Sequence, residues 1–292
     1  MIVLWVVFFA VLAAAAFAAF VLFKRTPGKT FDSAGVPVYY TDEGAGAPVL
    51  LIHGFAVHAD LNWRRPGCVR RLRNRGYRVI TMDLRGHGRS GRPYEPEKYG
   101  VELADDAVRL LDHLGIDKAH VAGYSLGGFV TLKIIARHPD RLLSGIVCAA
   151  GWDELDEKNR ALFGEIVAAI EQRRVFDPIT DWLDPGKRAP RIQCALANFF
   201  MRLINDLPAI VNCFKSFDGL VVDEAALRAN TVPALVLVGE RDGIREASDK
   251  LPGVMANHEL VHIPGGDHLT TLLKPLFMER MLAFLDQHTP RG

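Results

Sequence analysis

The stretch "HVAGYSLGGFV", His120 to Val130, decides how this chain is read. Gly123, Ser125 and Gly127 complete the pattern G-x-S-x-G, with a short apolar run before it and a helix-like run after it. Two readings compete at the level of the pattern alone. The glycines are turn punctuation, or they let the chain bend sharply enough from strand to helix to expose one hydroxyl. In the second case the hydroxyl stands at a helix N-terminus, where backbone N–H groups and the helix dipole favour negative charge.

Working outward, apolar and β-branched runs recur as "VPVYYT", "PVLLIHG", "YRVITMD", "AHVAGY", "LLSGIVCAA", "PALVLVGE" and "ELVHIPG". Helical spacing appears between them, as in Leu103, Ala107, Leu110, Leu111 and Leu114, and again in Phe277, Met281, Phe284 and Leu285. Strands alternating with helices predict an α/β fold with a mostly parallel central sheet and helices on both faces. "RTPGKTFDSAG", rich in Gly, Pro, Ser and Thr, reads as a linker or first turn. About eighty residues, 151–231, separate two successive strands, too many for an ordinary connection. Their apolar, helix-forming content, in "RALFGEIVAAIEQ" and "CALANFFMRLI", predicts an ordered helical insertion. The organisation expected is an N-terminal segment 1–25, a first core part 26–150, a helical cap 151–231 and a second core part 232–292.

The first residues differ from the rest. Ile2 to Phe23 holds no charge, no Pro and no Gly, and as a helix it is just long enough to cross a hydrocarbon core. The expectation is an N-terminal transmembrane helix serving as a membrane anchor, favoured over a cleaved export signal because no cationic n-region precedes it. Lys24, Arg25 and Lys29 then place the following domain on the cytoplasmic side. The formal net charge of +1 argues against nucleic acid as a partner. The Arg-dense stretch from Arg64 to Arg78 reads as a solvated helix face. Cys68, Cys148, Cys194 and Cys213 form no C-x-x-C pair, so the usual zinc and redox spacings are absent. No metal or organic cofactor is expected.

A serine hydroxyl needs a base before it can act as a nucleophile, and a histidine of near-neutral pKa serves best. Of ten histidines, His268 in "IPGGDHLTTL" follows the last apolar run within a Gly-rich loop. His113, His120 and His138 read as packed or surface residues. An acid must orient the imidazole. Asp242, in "LVLVGERDGI", follows a buried-type strand; Asp153, in "AAGWDE", is its serious rival, while Asp249 and Asp267 are less well placed. An oxyanion site needs two amides: Leu126, after the serine, and Phe55, beyond the strand in "LLIHGFAVH". His53 is expected to be a structural hydrogen-bonding residue.

With "HGF" at His53, "DLRGHGRS" at Asp83, "GYSLGG" at Gly123, "GERD" at Gly239 and "GGDH" at Gly265, the chain resembles the α/β-hydrolases from about Val36 onward. The resemblance implies Ser125 as nucleophile, Asp242 as acid and His268 as base, with a helical cap shaping an acyl or alcohol pocket. It implies a structural role for Asp83, Arg85 and His87. Phe55, Trp152, Phe199, Phe200 and Met201 are candidates for an apolar lining. The expected activity is a serine hydrolase acting on a small-molecule carboxylic ester. C–C bond hydrolysis or cofactor-free perhydrolysis on the same residues, or a non-catalytic ligand-binding scaffold, are the alternatives.

Overall fold

Among the described residues of the computed structural model eight strands join one sheet, most of them short apolar or β-branched runs bounded by turn residues. The structure describes residues 25–153, 157–172, 199 and 202–290. The strands are β1 Lys29–Ser33, β2 Val36–Glu43, β3 Pro48–Ile52, β4 Arg78–Met82, β5 Ala119–Tyr124, β6 Leu142–Cys148, β7 Ala234–Gly239 and β8 His258–Ile263. Their order is β1-β2-β4-β3-β5-β6-β7-β8. The β1–β2 and β2–β4 pairs are antiparallel, and every pair from β4 onward is parallel.

Alternation along the strands splits the core in two. Val49 and Leu51 of β3 face one side, against Leu72 of α1 (Cys68–Asn74) and Phe277, Met281 and Leu285 of α8 (Pro275–His288). Leu50 and Ile52 face the other, against Leu103 and Leu110 of α2 (Glu102–His113) and Val130 and Ile134 of α3 (Leu126–Arg137). Leu251 of α7 (Arg245–Val254) joins that second layer. Within 151–231 the described helices are α4 Glu157–Glu171, α5 Leu207–Lys215 and α6 Glu224–Arg228. Ile166 and Ile170 of α4 pack with Ile210 and Phe214 of α5 on Ala56, just beyond the end of β3. Asn205 donates to Ala56 O at 2.9 Å, and Asn212 to Tyr94 O at 2.5 Å, so this layer is bonded to core loops.

Two expectations are corrected. "RTPGKTFDSAG" is not merely a linker or turn: Lys29–Ser33 pairs with β2 in a hairpin, Ser33 opposite Val36. Ala34 and Gly35 turn the chain with φ of 52° and 80°, the conformation that a two-residue hairpin requires. The turn-forming letters hid a five-residue strand whose Phe31 and Ser33 point inward. The transmembrane helix, and with it the membrane anchor and the cytoplasmic placement, is also withdrawn. The run Ile2–Phe23 lies outside the described residues, and no helix among the described residues is long and apolar enough to cross a membrane. Their longest, α4, has 15 residues and spans only ~22 Å against a hydrocarbon core of about 30 Å. An uncharged apolar run is a compositional signal, and composition alone does not establish a spanning element.

The stretch Arg64 to Arg78 includes a helix whose Arg70, Arg71 and Arg73 are exposed, as a solvated face requires, and several of its arginines are ion-paired. Arg64 and Arg73 meet Glu43 at 2.5 and 3.0 Å, Arg75 meets Asp286 at 2.6 Å and Arg78 meets Asp42 at 2.8 Å.

Candidate active site

Parallel strands deliver their carboxyl ends to one edge of the sheet, and the candidate residues lie just beyond the ends of β3, β5, β7 and β8. Ser125 sits between β5 and α3 with φ 54° and ψ −116°, a combination that costs a non-glycine residue about 1–3 kcal/mol. Its N–H donates to Cys148 O at 2.8 Å, and its carbonyl accepts from Gly128 and Phe129 at 2.8 and 3.1 Å. The flanking glycines are dictated by close approach. A Cβ on Gly123 would lie 1.8 Å from Gly127 O, and one on Gly127 would lie 2.3 Å from Ile52 O. The elbow is thus compressed against the end of β3 on one side and its own helix on the other.

Ser125 Oγ lies 2.9 Å from His268 Nε2. His268 Nδ1 lies 2.9 and 3.0 Å from the two carboxylate oxygens of Asp242. A carboxylate only accepts, so Nδ1 carries the proton and Nε2 is left to accept from the serine hydroxyl. Asp242 and His268 are 5% and 6% exposed, and Asp242 Oδ1 also accepts from Ile244 N–H at 3.0 Å. Tyr124 OH donates to His268 O at 2.7 Å, tying the histidine loop to the residue before the serine.

The rival acids are engaged elsewhere. Asp153 is exposed and paired with Lys250 at 2.7 Å. Asp249 holds His262 at 2.6 Å and Arg245 at 3.2 Å. Asp267 Oδ1 accepts from the N–H groups of Leu269 and Thr270, closing the loop that carries His268. His113, His120 and His138 are remote from the serine: His113 stacks on Phe31, His120 contacts Ser144 Oγ at 2.7 Å and His138 contacts Asp105 at 2.9 Å.

Phe55 follows Gly54, on which a Cβ would stand 3.4 Å from Ser125 Cβ, so the "HGF" turn lies beside the serine. The amides of Phe55 and Leu126 donate to no group among the described residues. His53 is fully buried; its Nε2 accepts from Leu84 N–H at 2.9 Å, leaving Nδ1–H to donate to Gly54 O at 2.7 Å. Burial lowers its pKa to about 4, so it stays neutral. Asp83 accepts from the amides of Ala59 and Arg89, each at 2.9 Å, and burial raises its pKa. Arg85 is fully buried, with Nε and an Nη on Asp106 at 2.6 and 2.5 Å. His87, its pKa lowered to about 3 by burial, lies between His53 and Phe55 at ring distances of 5.3 and 5.9 Å.

Above the site, aromatic rings link core to helical layer. Phe55 meets Phe214 at 5.2 Å, Phe129 meets Phe217 at 5.0 Å, and Phe163 lies 5.7 and 5.0 Å from Phe214 and Phe217. Trp152, half-buried, donates its indole N–H to Val222 O at 2.8 Å. Phe199 is exposed, and Phe200 and Met201 lie outside the described residues. Sequence reasoning missed Phe129, Phe163, Phe214 and Phe217, whose spacing is that of ordinary core helices. Among the described residues no group of three or more His, Cys, Asp or Glu side chains is placed to hold a metal.

A family model described as the alpha/beta hydrolase fold matches residues 47–275. The AB hydrolase superfamily protein YisY of Bacillus subtilis is 35% identical over 250 residues, covering 80% of this chain and 89% of its own. The 2-hydroxymuconate semialdehyde hydrolase of a Pseudomonas species is 30% identical over 228 residues, covering 74% and 78%. A solved carboxylesterase structure from the ammonia-oxidizing thaumarchaeon Nitrososphaera gargenis matches with a TM-score of 0.68 at 25% identity, over 90% of this chain and 99% of that one.

Proposed function

The chain belongs to the alpha/beta hydrolase fold family, and on that premise we propose that it is a serine hydrolase that cleaves carboxylic esters through an acyl-enzyme. The observation that carries the reading is the unbroken hydrogen-bonded chain from Asp242 through His268 to Ser125 Oγ, with the serine on a strained turn.

In this mechanism His268 Nε2 takes the Ser125 proton as Oγ attacks the ester carbonyl. Asp242, held by Ile244 N–H, stabilises the imidazolium and keeps the ring oriented. The negative charge that develops on the carbonyl oxygen is met by the Phe55 and Leu126 amides. His268 then returns its proton to the departing alcohol, leaving the acyl group on Ser125. Water, deprotonated by the same imidazole, releases the acid and restores the serine. Residues 151–231 act as a cap in this reading, and the ring cluster of Phe55, Phe129, Phe163, Phe214 and Phe217 supports an apolar acyl or alcohol group of small or medium size.

The test is hydrolysis of p-nitrophenyl esters across an acyl-length series by the parent and by Ser125→Ala. Activity in the parent that vanishes in the variant is the expected result. A parent inert to every ester refutes the reading. The second reading is C–C bond hydrolysis on the same three residues, favoured by the likeness to the 2-hydroxymuconate semialdehyde hydrolase. A vinylogous diketone turned over faster than any ester would select it.

A further inference from the structure

Beyond the His53–Gly54–Phe55 turn the chain makes one π-helical turn, Asp60–Arg64, closed by Arg65 N–H donating to Asp60 O at 2.9 Å. Such turns are rare and concentrate at functional sites. This one is braced from outside. The Asp60 carboxylate accepts from Thr26 N–H at 2.8 Å, from the Thr26 hydroxyl at 2.7 Å and from Arg64 Nε at 3.0 Å. On the inside Asn62 is 7% exposed, and its Oδ1 accepts from Gly54 N–H at 2.8 Å.

Those contacts aim one particular peptide. The unit joining Gly54 to Phe55 is trans, so its C=O and N–H point in opposite directions. His53 Nδ1–H pins the carbonyl of that unit. Asn62 pins the preceding N–H, so both sides of Gly54, the residue with the fewest conformational restraints of its own, are fixed. A Cβ on Gly54 would lie 3.4 Å from both Asn62 Oδ1 and Ser125 Cβ, so the latch and the nucleophile both lie close to this residue. With the carbonyl held by His53, the Phe55 N–H is turned the other way.

We propose that Asn62 is a positioning residue for the reaction: by accepting the Gly54 N–H it fixes the peptide whose far end, the Phe55 amide, meets the oxyanion. This rests on the serine-hydrolase reading. Asn62 touches no reacting atom; it acts through Gly54. A donor misplaced by about 1 Å weakens transition-state stabilisation without altering how the substrate's remaining groups bind.

The experiment compares the parent with Asn62→Ala and Asn62→Ser, each normalised to active sites titrated with a fluorophosphonate. The readouts are kcat and KM on a p-nitrophenyl ester, inhibition by a trifluoromethyl ketone that binds serine as an oxyanion, and the melting temperature. The expected result is a fall in kcat of about 10- to 100-fold at unchanged KM, below the ~100- to 1000-fold of deleting a donor outright. Ketone affinity falls by the same factor. Asn62→Ser, whose hydroxyl is too short to reach Gly54, moves in the same direction. A variant with a lower melting temperature but a kcat per titrated site within twofold of the parent overturns the proposal. So does failure of both variants to fold, which assigns Asn62 to folding alone. A parent inert to every ester and to the ketone overturns the serine-hydrolase reading and this inference with it. An active parent beside an unaffected Asn62→Ala overturns this inference only.

Discussion

Four histidines are buried in the folded chain in their neutral form, and mild acid should destabilise it steeply. Burial lowers the pKa of His53 and His120 to about 4, of His87 to about 3 and of His58 to about 2. Nearby cations and the neighbouring imidazoles push His58 and His87 further in the same direction. Each folded value lies below the ~6.5 of an unfolded histidine, so the unfolded chain binds more protons as pH falls. Stability is therefore complete above pH 6.5 and is lost on the way down. At pH 5.5 each unfolded imidazole is about ten-to-one protonated, which shifts the balance by about 1.4 kcal/mol, and four of them by about 5.5 kcal/mol. All four folded values lie more than a unit below pH 5.5, so this loss does not depend on where each of them falls. Asp83, its pKa raised by burial, works in the opposite direction, one group against four. The total approaches the whole stability of a marginal domain, about 5–15 kcal/mol. Urea unfolding at pH 7.5 and pH 5.5 measures it directly, and with m near 3 kcal/mol/M the midpoint should drop by about 2 M. His120→Gln, remote from the candidate site, should remove about a quarter of the difference. Midpoints that agree within ~0.3 M at the two pH values would refute the reasoning.

Further outcomes follow from single contacts. Asp242→Asn should lower kcat on esters by about 10⁴-fold in a folded protein, because the imidazole is left in the wrong tautomer. Asp153→Asn should leave steady-state kinetics unchanged; equal losses in the two variants would sink the assignment of the acid. Asp106→Asn leaves the fully buried Arg85 only the longer pair with Glu102, at 3.4 Å, and should cost about 3 kcal/mol in chemical denaturation. Tyr124→Phe removes the hydroxyl bond to His268 O and should lower stability by about 1–2 kcal/mol, with kcat falling while KM holds. Gly123→Ala drives a methyl into Gly127 O and should cost about 3 kcal/mol or more, so a variant melting like the parent would contradict the compression of the elbow.

The sheet and the serine turn were legible because both are written in local pattern. Strands β2 to β8 announce themselves as apolar runs bounded by Gly, Pro or Asp, and Gly123 and Gly127 stand where two backbones nearly touch. Strand β1 was not legible, since "KTFDS" alternates over only five residues and lies among turn formers. The apolar N-terminal run illustrates the converse, a strong compositional signal for which the described residues supply no spanning helix. Asn62 was invisible because "ADLNWRR" carries no periodic or motif signal, and its role follows from a 2.8 Å contact eight residues back along the chain. The separation of Asp242 from Asp153 also depended on three dimensions. Both follow sheet strands, and only the lateral order β6-β7-β8 brings the end of β7 beside His268.

That lateral order also has a temporal consequence. Ser125 and His268 are 143 residues apart in the chain, and the strand that delivers the histidine is the last to be synthesised. β8 can pair only with β7, and the face beneath both stays open until α8 arrives at residues 275–288. A chain synthesised only through β6 therefore carries Ser125 but lacks both Asp242 and His268. On the serine-hydrolase reading, a chain released before residue 268 should therefore be inert toward esters, and full-length chains alone should gain the activity.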